Sequence, residues 1–158
     1  MTMKKLVYLS IALMLCITSQ ISAQVIPIGS SVQAVRDTLN AHKFGFTEVT
    51  DGTMSPRVIS VNVPIAQYLN TNWSISYEFR KPDTLTHALY TAYKVKTEDY
   101  EFLLRQVTQI RGEPTGDHPT SAIGKYWVVD NRFITALSMK EDRIYLEQRD
   151  IDFANSTK

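Results

Sequence analysis

Hydrophobic and polar residues alternate along several stretches of the chain, and a period of two is the spacing expected of a β-strand with one buried face. The clearest stretch is 73–80, which has an aromatic or aliphatic residue at every odd position and a polar residue at every even one. The same reasoning predicts strands at 46–50, 57–65, 73–80, 85–95, 124–129, 132–139 and 142–149.

The alternation also assigns side chains to the two faces of the predicted sheet. In 85–95, the longest stretch, the more apolar face carries Leu85, Leu89, Tyr93 and Val95, which places His87 on the core side. The last three strands are expected to bury these residues: Trp127, Val129, Phe133, Leu137, Met139, Ile144 and Leu146.

Two other stretches have the 3.6-residue spacing of an amphipathic helix. Ser30 followed by Gln33 is a capping-box pattern at the start of the first, 31–42. The second helix is expected to begin near Thr97, a good N-cap residue, and to end at Gly112. Its apolar stripe consists of Tyr100, Leu103, Leu104, Val107 and Ile110.

The predicted elements follow one another as helix then strands, and this order occurs twice. It predicts an α+β fold of two helix-then-antiparallel-strands units, 24–96 and 97–151, with the helices packed on one face of an antiparallel sheet. A unit of about 60–70 residues buries little apolar surface by itself, so the two units are expected to form one domain, 24–151. The polar tail, 152–158, is expected to be loose.

The first 23 residues have the pattern of a secretory signal peptide. Lys4 and Lys5 precede an apolar run of 12 residues, and Ala23 supplies a small residue at the cleavage position. The run is shorter than the roughly 18 apolar residues of a membrane anchor. Cys16 follows Leu15, whereas a lipoprotein signal has a small residue before its cysteine. We therefore expect export to the periplasm or the medium after cleavage near Ala23, with an anchor or lipid attachment as the alternatives.

Composition and charge narrow the classes of function. The chain has 158 residues, 44% hydrophobic and 21% charged, which is typical of a globular protein. Without residues 1–23, 15 basic and 16 acidic residues give a net charge of −1 over 135 residues. This balance offers no field to attract nucleic acid or an anionic membrane. The single cysteine leaves with the signal, so packing rather than disulfides must stabilise the mature chain.

The sequence contains no motif for catalysis or metal binding. The three histidines, His42, His87 and His118, lie in different predicted elements and form no H-x-x-x-H pair. Asp117 beside His118, in the Gly/Pro-rich loop 112–121, would be an acid/base pair in a catalytic site, and a plain turn is the alternative. We therefore predict no catalytic residue, no metal and no cofactor.

One face of the predicted sheet is rich in arginine and tyrosine. The side chains that the alternation places away from the core are Arg80, Tyr90, Lys94, Tyr126, Arg143, Tyr145 and Arg149. Tyrosine and arginine dominate binding hot spots because each combines a large contact area with a polar end. The predicted binding residues are Arg80, Tyr90, Tyr126, Arg143, Tyr145 and Arg149, and an ordinary solvated face is the alternative.

Three segments resemble parts of small exported bacterial α+β modules. The start IPIGSSVQAVRDTL is similar to their "G-small-x-x-x-V-x-x-x-L" helix opening, and LLRQVTQIRGEP is similar to their helix-to-"L-G-x-P" ending. The end, YWVVDNRFITALSMKEDRIYLEQRD, looks like their closing antiparallel meander. This plan occurs in outer-membrane-assembly lipoproteins of the SmpA/OmlA type, in tandem-repeat β-lactamase-inhibitory proteins and in uncharacterised secreted proteins of Bacteroides-like bacteria. Arg111 stands where these modules have a helix-ending aromatic residue.

The resemblance implies a binding module without chemical turnover, and it carries no functional residue over to this chain. Together with the arginine- and tyrosine-rich face, it predicts an exported, non-catalytic protein that binds an envelope or secreted protein. The alternatives are a hydrolase or isomerase that uses the loop 112–121, and a structural component of the envelope.

Overall fold

The computed structural model of the chain describes residues 26–50, 57–64, 69, 71–81 and 83–151. The predicted signal peptide and the predicted tail lie outside these residues. The described part contains two named helices, α1 (Val32–Ala41) and α2 (Thr97–Arg111). Its strands are β1 (Phe46–Val49), β2 (Arg57–Pro64), β3 (Asn72–Lys81), β4 (Thr84–Tyr93), β5 (Gly116–Asp117), β6 (Ile123–Val129), β7 (Phe133–Lys140) and β8 (Arg143–Asp150).

All eight strands belong to one antiparallel sheet, in the order β1-β2-β3-β4-β8-β7-β6-β5. The prediction of two tandem helix-then-strands α+β units is therefore wrong. Half of the described residues (50%) are in strands and only 23% are helical, so the fold is mainly antiparallel β. The physical reason lies in the pairing of β4 with β8, which joins the strands of both halves of the chain into one continuous sheet.

The strand positions predicted from alternation are confirmed to within one or two residues at each described end. Pro64 is the last residue of β2 and lies beyond the part of β2 that pairs with β1, as its missing N–H requires. One strand was not predicted. β5 consists of two residues inside the loop 112–121 and pairs with β6 at one edge of the sheet.

Both predicted helices are present, with caps that differ in detail from the prediction. The N-cap of α1 is Ser31 rather than Ser30, and its hydroxyl accepts a hydrogen bond from the Ala34 N–H at 3.1 Å. The N-cap of α2 is Lys96, whose N–H donates to the Asp99 carboxylate at 2.7 Å. Glu98 and Asp99 lie in the first turn of α2, where negative charge is favourable to the helix dipole.

The hydrophobic core lies between the two helices and one face of the sheet, which we call the inner face. The opposite face is the outer face. Both helices bury their apolar stripe against the inner face, although Ile110 at the end of the α2 stripe is 61% exposed. The strand residues predicted to face the core from β3, β6, β7 and β8 all lie on this face. The sheet core includes Ile59, Trp73, Ile75, Tyr77, Phe79, Trp127, Leu137 and Ile144.

The two faces of β4 differ from the prediction because an extra residue interrupts its alternation. Leu85 pairs with Phe79 but His87 pairs with Glu78, so Thr86 is inserted without a partner as a β-bulge. Beyond the bulge, the even-numbered residues of β4 face the core and the odd-numbered ones face outward. His87 is therefore on the outer face, and Tyr90, predicted to be an outward binding residue, is buried on the inner face and only 3% exposed. The outward placements of Leu89 and Tyr93 likewise correct the prediction.

Tyr90 is part of the core through its neighbour on β3. Its ring meets the ring of Tyr77 edge to face, with centroids 6.2 Å apart. Burial raises the pKa of Tyr77 to about 12, although a hydrogen bond with Tyr90 acts in the opposite direction. These contacts make Tyr90 a structural residue rather than a binding residue.

We expect Tyr90→Ala to lower the free energy of unfolding by about 3–5 kcal/mol, because it removes a large buried ring and leaves a cavity. The matched substitution Tyr145→Ala, on the outer face of β8, should cost about 1 kcal/mol or less. Urea unfolding followed by circular dichroism measures both values. Equal losses in the two variants would contradict the assignment of Tyr90 to the core.

Candidate functional site

The structure brings five of the six predicted binding residues to the outer face of the sheet. Cross-strand register places four of them, since residues that pair with one another share a face, and Arg80 is placed by its hydrogen bond to Glu78. The five are Arg80, Tyr126, Arg143, Tyr145 and Arg149. Tyr90 is the exception, and Lys94 lies just beyond the end of β4, where it is exposed.

A cluster of charged side chains lies on the outer face near one end of β3, β4 and β8. We call Glu78, Arg80, His87, Glu147 and Arg149 the charge cluster. Glu78 of β3 pairs in register with His87 of β4, and His87 pairs with Arg149 of β8. The bulge at Thr86 creates this arrangement, because it turns the imidazole of His87 away from the core.

His87 is the centre of the charge cluster. Its Nδ1 lies 3.2 Å from Glu78 Oε2, and its Nε2 lies 3.1 Å from Glu147 Oε1. Both ring nitrogens therefore face a carboxylate, an arrangement that a doubly protonated imidazolium satisfies because both of its nitrogens are donors. The three side chains are only 18–21% exposed, so water screens their interaction weakly.

The pKa values of the cluster follow from this geometry. Burial by itself would lower the pKa of His87, but the hydrogen bonds and charges of Glu147 and Glu78 outweigh it and raise that pKa. Burial would raise the pKa of Glu147, but His87, Arg149 and His118 outweigh it and lower that pKa. Each group thus supports the charged form of its neighbour.

Two arginines contact this centre, and a third lies at the other end of β8. Arg80 Nε donates to Glu78 Oε1 at 2.9 Å, and Arg149 Nη1 lies 3.5 Å from Glu147 Oε1. The Nε of Arg149 is buried and has no hydrogen-bond partner among the described residues. The guanidinium of Arg143 lies over the ring of Tyr93, 5.5 Å from its centroid, and the Arg143 side chain is otherwise exposed.

The loop 112–121 borders the outer face next to the cluster. The His118 N–H donates to the Gly124 carbonyl of β6 at 3.0 Å. A Cβ at position 124 would lie 2.7 Å from the Cβ of His118 and 2.9 Å from that of Ser138, so only glycine allows this close approach. A charge at His118 is the last and smallest of the influences that lower the pKa of Glu147.

The sequence analysis missed the three central residues of this site. His87 was assigned to the core, and Glu78 and Glu147 were not singled out. The adjacent polar pair Thr86-His87, between Leu85 and Ala88, is the one local signal that the alternation changes phase there. Only the cross-strand register shows that Glu78, His87 and Glu147 lie next to one another.

Among the described residues, no group of three or more His, Cys, Asp and Glu side chains could hold a metal ion. The cluster's carboxylates and its imidazole are engaged in ion pairs with one another. What the site offers chemically is a fixed set of positive and negative groups on an open sheet face.

The comparisons with known proteins add no assignment. No protein-family model matches the chain, and no curated protein or solved structure matches it significantly. The resemblance to exported α+β modules therefore stays a prediction. Within the described ranges, neither helix combines the length and the apolar composition that a membrane span requires.

The His87 pairing predicts a definite pH dependence. Because the pKa of His87 is raised above its ordinary 6.5, its contribution to stability is complete below about pH 6.5 and is lost as the pH rises through the folded-state value. The pKa of Glu147 is lowered from 4.5, so its contribution is complete above about pH 4.5 and is lost as the pH falls through its folded value. The cluster should stabilise the fold most between these limits.

An NMR titration of the His87 imidazole is the direct measurement. We expect a pKa above 6.5 in the unmodified protein, and a shift toward 6.5 or below in Glu147→Gln. Glu98→Gln, at an exposed position of α2, serves as the control and should leave the His87 titration unchanged. A His87 pKa that is insensitive to Glu147→Gln would show that the ion pair does not form.

Proposed function

We propose that this chain is an exported, non-catalytic binding module whose outer sheet face binds a partner protein through an acidic surface of that partner. The observation that carries the proposal is the charge cluster with its surrounding arginines and tyrosines on an open face. The partner is expected to be an envelope or secreted protein. Export rests on the signal-peptide pattern of residues 1–23, which lie outside the described part of the chain.

The size of the outer face supports a macromolecular partner. The six strands β2, β3, β4, β8, β7 and β6 lie side by side at about 4.8 Å spacing, and each has seven to ten residues that rise about 3.3 Å each. The face therefore measures roughly 25 Å by 25 Å, on the order of 600 Å² in projection. Each partner in a standard protein–protein interface contributes about 800 Å² of surface. A protein surface can cover this face, whereas a small molecule would contact a fraction of it.

The charges on the face indicate an acidic partner. Arg80, Arg143 and Arg149 stand against Glu78 and Glu147, an excess of one positive charge that becomes two when His87 is protonated. The chain without residues 1–23 carries −1, so this face has the opposite sign to the molecule as a whole.

Exposed apolar side chains on the same face would add contact area. Of the large apolar residues that are clearly exposed, three lie on the outer face by register: Val49 at 60%, Tyr93 at 44% and Val128 at 37%. Tyr126 and Tyr145 lie between them, half-buried. A surface of this kind combines apolar contact with fixed charges, which is the composition of protein–protein hot spots.

The alternative of a hydrolase or isomerase that uses the loop 112–121 has one argument in its favour, the influence of His118 on the pKa of Glu147. We favour binding because Glu147 already pairs with His87 and Arg149. A structural role in the envelope would depend on an anchor within residues 1–25, about which the described residues carry no information.

Site-specific photo-crosslinking tests the proposal. The photo-reactive amino acid p-benzoylphenylalanine replaces Tyr145 on the outer face or, as a control, Phe102 on the exposed side of α2. We expect one dominant partner to crosslink at position 145 and not at 102, through an acidic segment of that partner. Arg143→Glu should reduce the affinity of the purified partner at least about tenfold, as expected for a hot-spot arginine, whereas Arg105→Glu on α2 should not.

Two results would argue against the proposal. Equal crosslinking at positions 145 and 102 would mean that the outer face has no special role. A partner whose affinity is the same for Arg143→Glu and for the unmodified protein would show that the arginines do not take part in binding.

A further inference from the structure

A cavity of about 450 Å³ lies on the inner side of the sheet, away from the charge cluster. It is bounded by the segment that leads into α1 and by the end of α2. The Gly29 N–H donates to the Leu85 carbonyl at 2.8 Å, which fixes the first boundary on β4. The Trp127 indole N–H donates to the Gly112 carbonyl at 2.9 Å, and this bond holds the end of α2 against β6. The cavity is therefore held open between two anchored segments.

Two buried polar side chains in the wall have no partner within the described chain. Thr135 of β7 and Gln148 of β8 are directly opposite each other in register. They are only 4% and 8% exposed, and both line the cavity. Within the described residues, neither side chain makes a hydrogen bond to another residue. The hydroxyl of Thr135 and the carboxamide of Gln148 are therefore available to hydrogen-bond a polar group that enters the cavity.

Charged residues of opposite sign also line the cavity. Arg111 is the last residue of α2, and Asp130 belongs to the turn between β6 and β7. Both are exposed, and neither takes part in an ion pair with a described residue. A ligand that carries one positive and one negative group would satisfy both.

The remaining wall is apolar. Ile28 and Phe133 line it, and the guanidinium of Arg132 lies 5.0 Å from the centroid of the Phe133 ring. Cavities of about 300–1,000 Å³ with an apolar wall and a few converging polar groups are typical of sites for small molecules. The volume here fits two or three amino-acid residues better than a single ion or a folded partner.

We propose that this cavity binds a short apolar peptide with free ends, such as a dipeptide. The peptide carboxylate pairs with Arg111 and its ammonium group pairs with Asp130. Its amide bonds to Gln148, whose carboxamide offers both a donor and an acceptor, and to the hydroxyl of Thr135. The apolar side chains of the peptide pack between Ile28 and Phe133. The site is independent of the proposed function, because it lies on the opposite face of the sheet.

Titration of the isotope-labelled protein with the dipeptide Val-Leu, followed by proton–nitrogen NMR, tests this proposal. We expect saturable shifts of the Thr135 and Gln148 amide signals. N-acetyl-Val-Leu and Val-Leu-amide, which each lack one terminal charge, should bind about tenfold more weakly, as expected for the loss of one charge-assisted hydrogen bond. The charge requirement at both ends distinguishes a peptide site from a general apolar cavity.

Variants of the chain test the same contacts from the other side. Gln148→Leu removes the carboxamide at nearly constant side-chain volume. Arg111→Gln removes the positive charge at an exposed position, where the substitution should not affect folding. Each substitution should weaken Val-Leu binding about tenfold. Arg105→Gln, an exposed arginine on the same helix, is the matched control and should leave affinity unchanged.

The proposal would be overturned by any of three results. A cavity that holds only water would give no saturable shift with Val-Leu. Equal affinity for the acetylated, amidated and free dipeptides would remove the role of Arg111 and Asp130. Unchanged affinity in Arg111→Gln would place the carboxylate elsewhere.

Discussion

The pairing of β4 with β8 is the interaction on which the rest of the molecule depends. β4 is the last of the first four strands along the chain, and β8 is the last of the other four. Seven residue pairs, from His87–Arg149 to Tyr93–Arg143, join the two strands. Without this pairing, two sheet edges in the middle of the molecule would leave a row of backbone donors and acceptors unsatisfied. The same pairing places Ile144 against Ala92 in the core and Arg149 beside His87 on the outer face. Both the candidate site and the cavity therefore exist because the halves share one sheet.

The single inserted residue at Thr86 determines which chemistry appears on each face. Its hydroxyl donates to the Glu78 carbonyl at 3.1 Å, which satisfies one backbone acceptor where the regular ladder is interrupted. Before the bulge Leu85 faces the core, and after it Ala88, Tyr90 and Ala92 do so. Because of the bulge, His87 lies on the outer face and Tyr90 lies on the inner face. The core gains a large ring, and the outer face gains the imidazole that holds two carboxylates together.

Local patterns predicted most of the elements and little of their assembly. The alternation in β3, β6, β7 and β8 correctly identified the residues that face the core. In each of these strands successive side chains point to opposite faces without interruption, so the period of two holds along the strand. The tandem α+β arrangement was wrong, since the order of elements does not determine which distant strands pair. The placements of Tyr90 and His87 were wrong because one unpaired residue reverses every later assignment in a strand. Five of the six predicted binding residues share a face, but Glu78, His87 and Glu147 meet only through long-range register.

The central claim is that β4 and β8 pair in this register, and cross-strand nuclear Overhauser effects measure it most directly. The account predicts contacts between backbone protons of Tyr90 and Leu146 and of His87 and Arg149, and slow amide hydrogen exchange in both strands. Absence of these contacts together with fast exchange along β4 and β8 would contradict it. In that case the halves would not share a sheet, and neither the charge cluster nor the cavity would form as described.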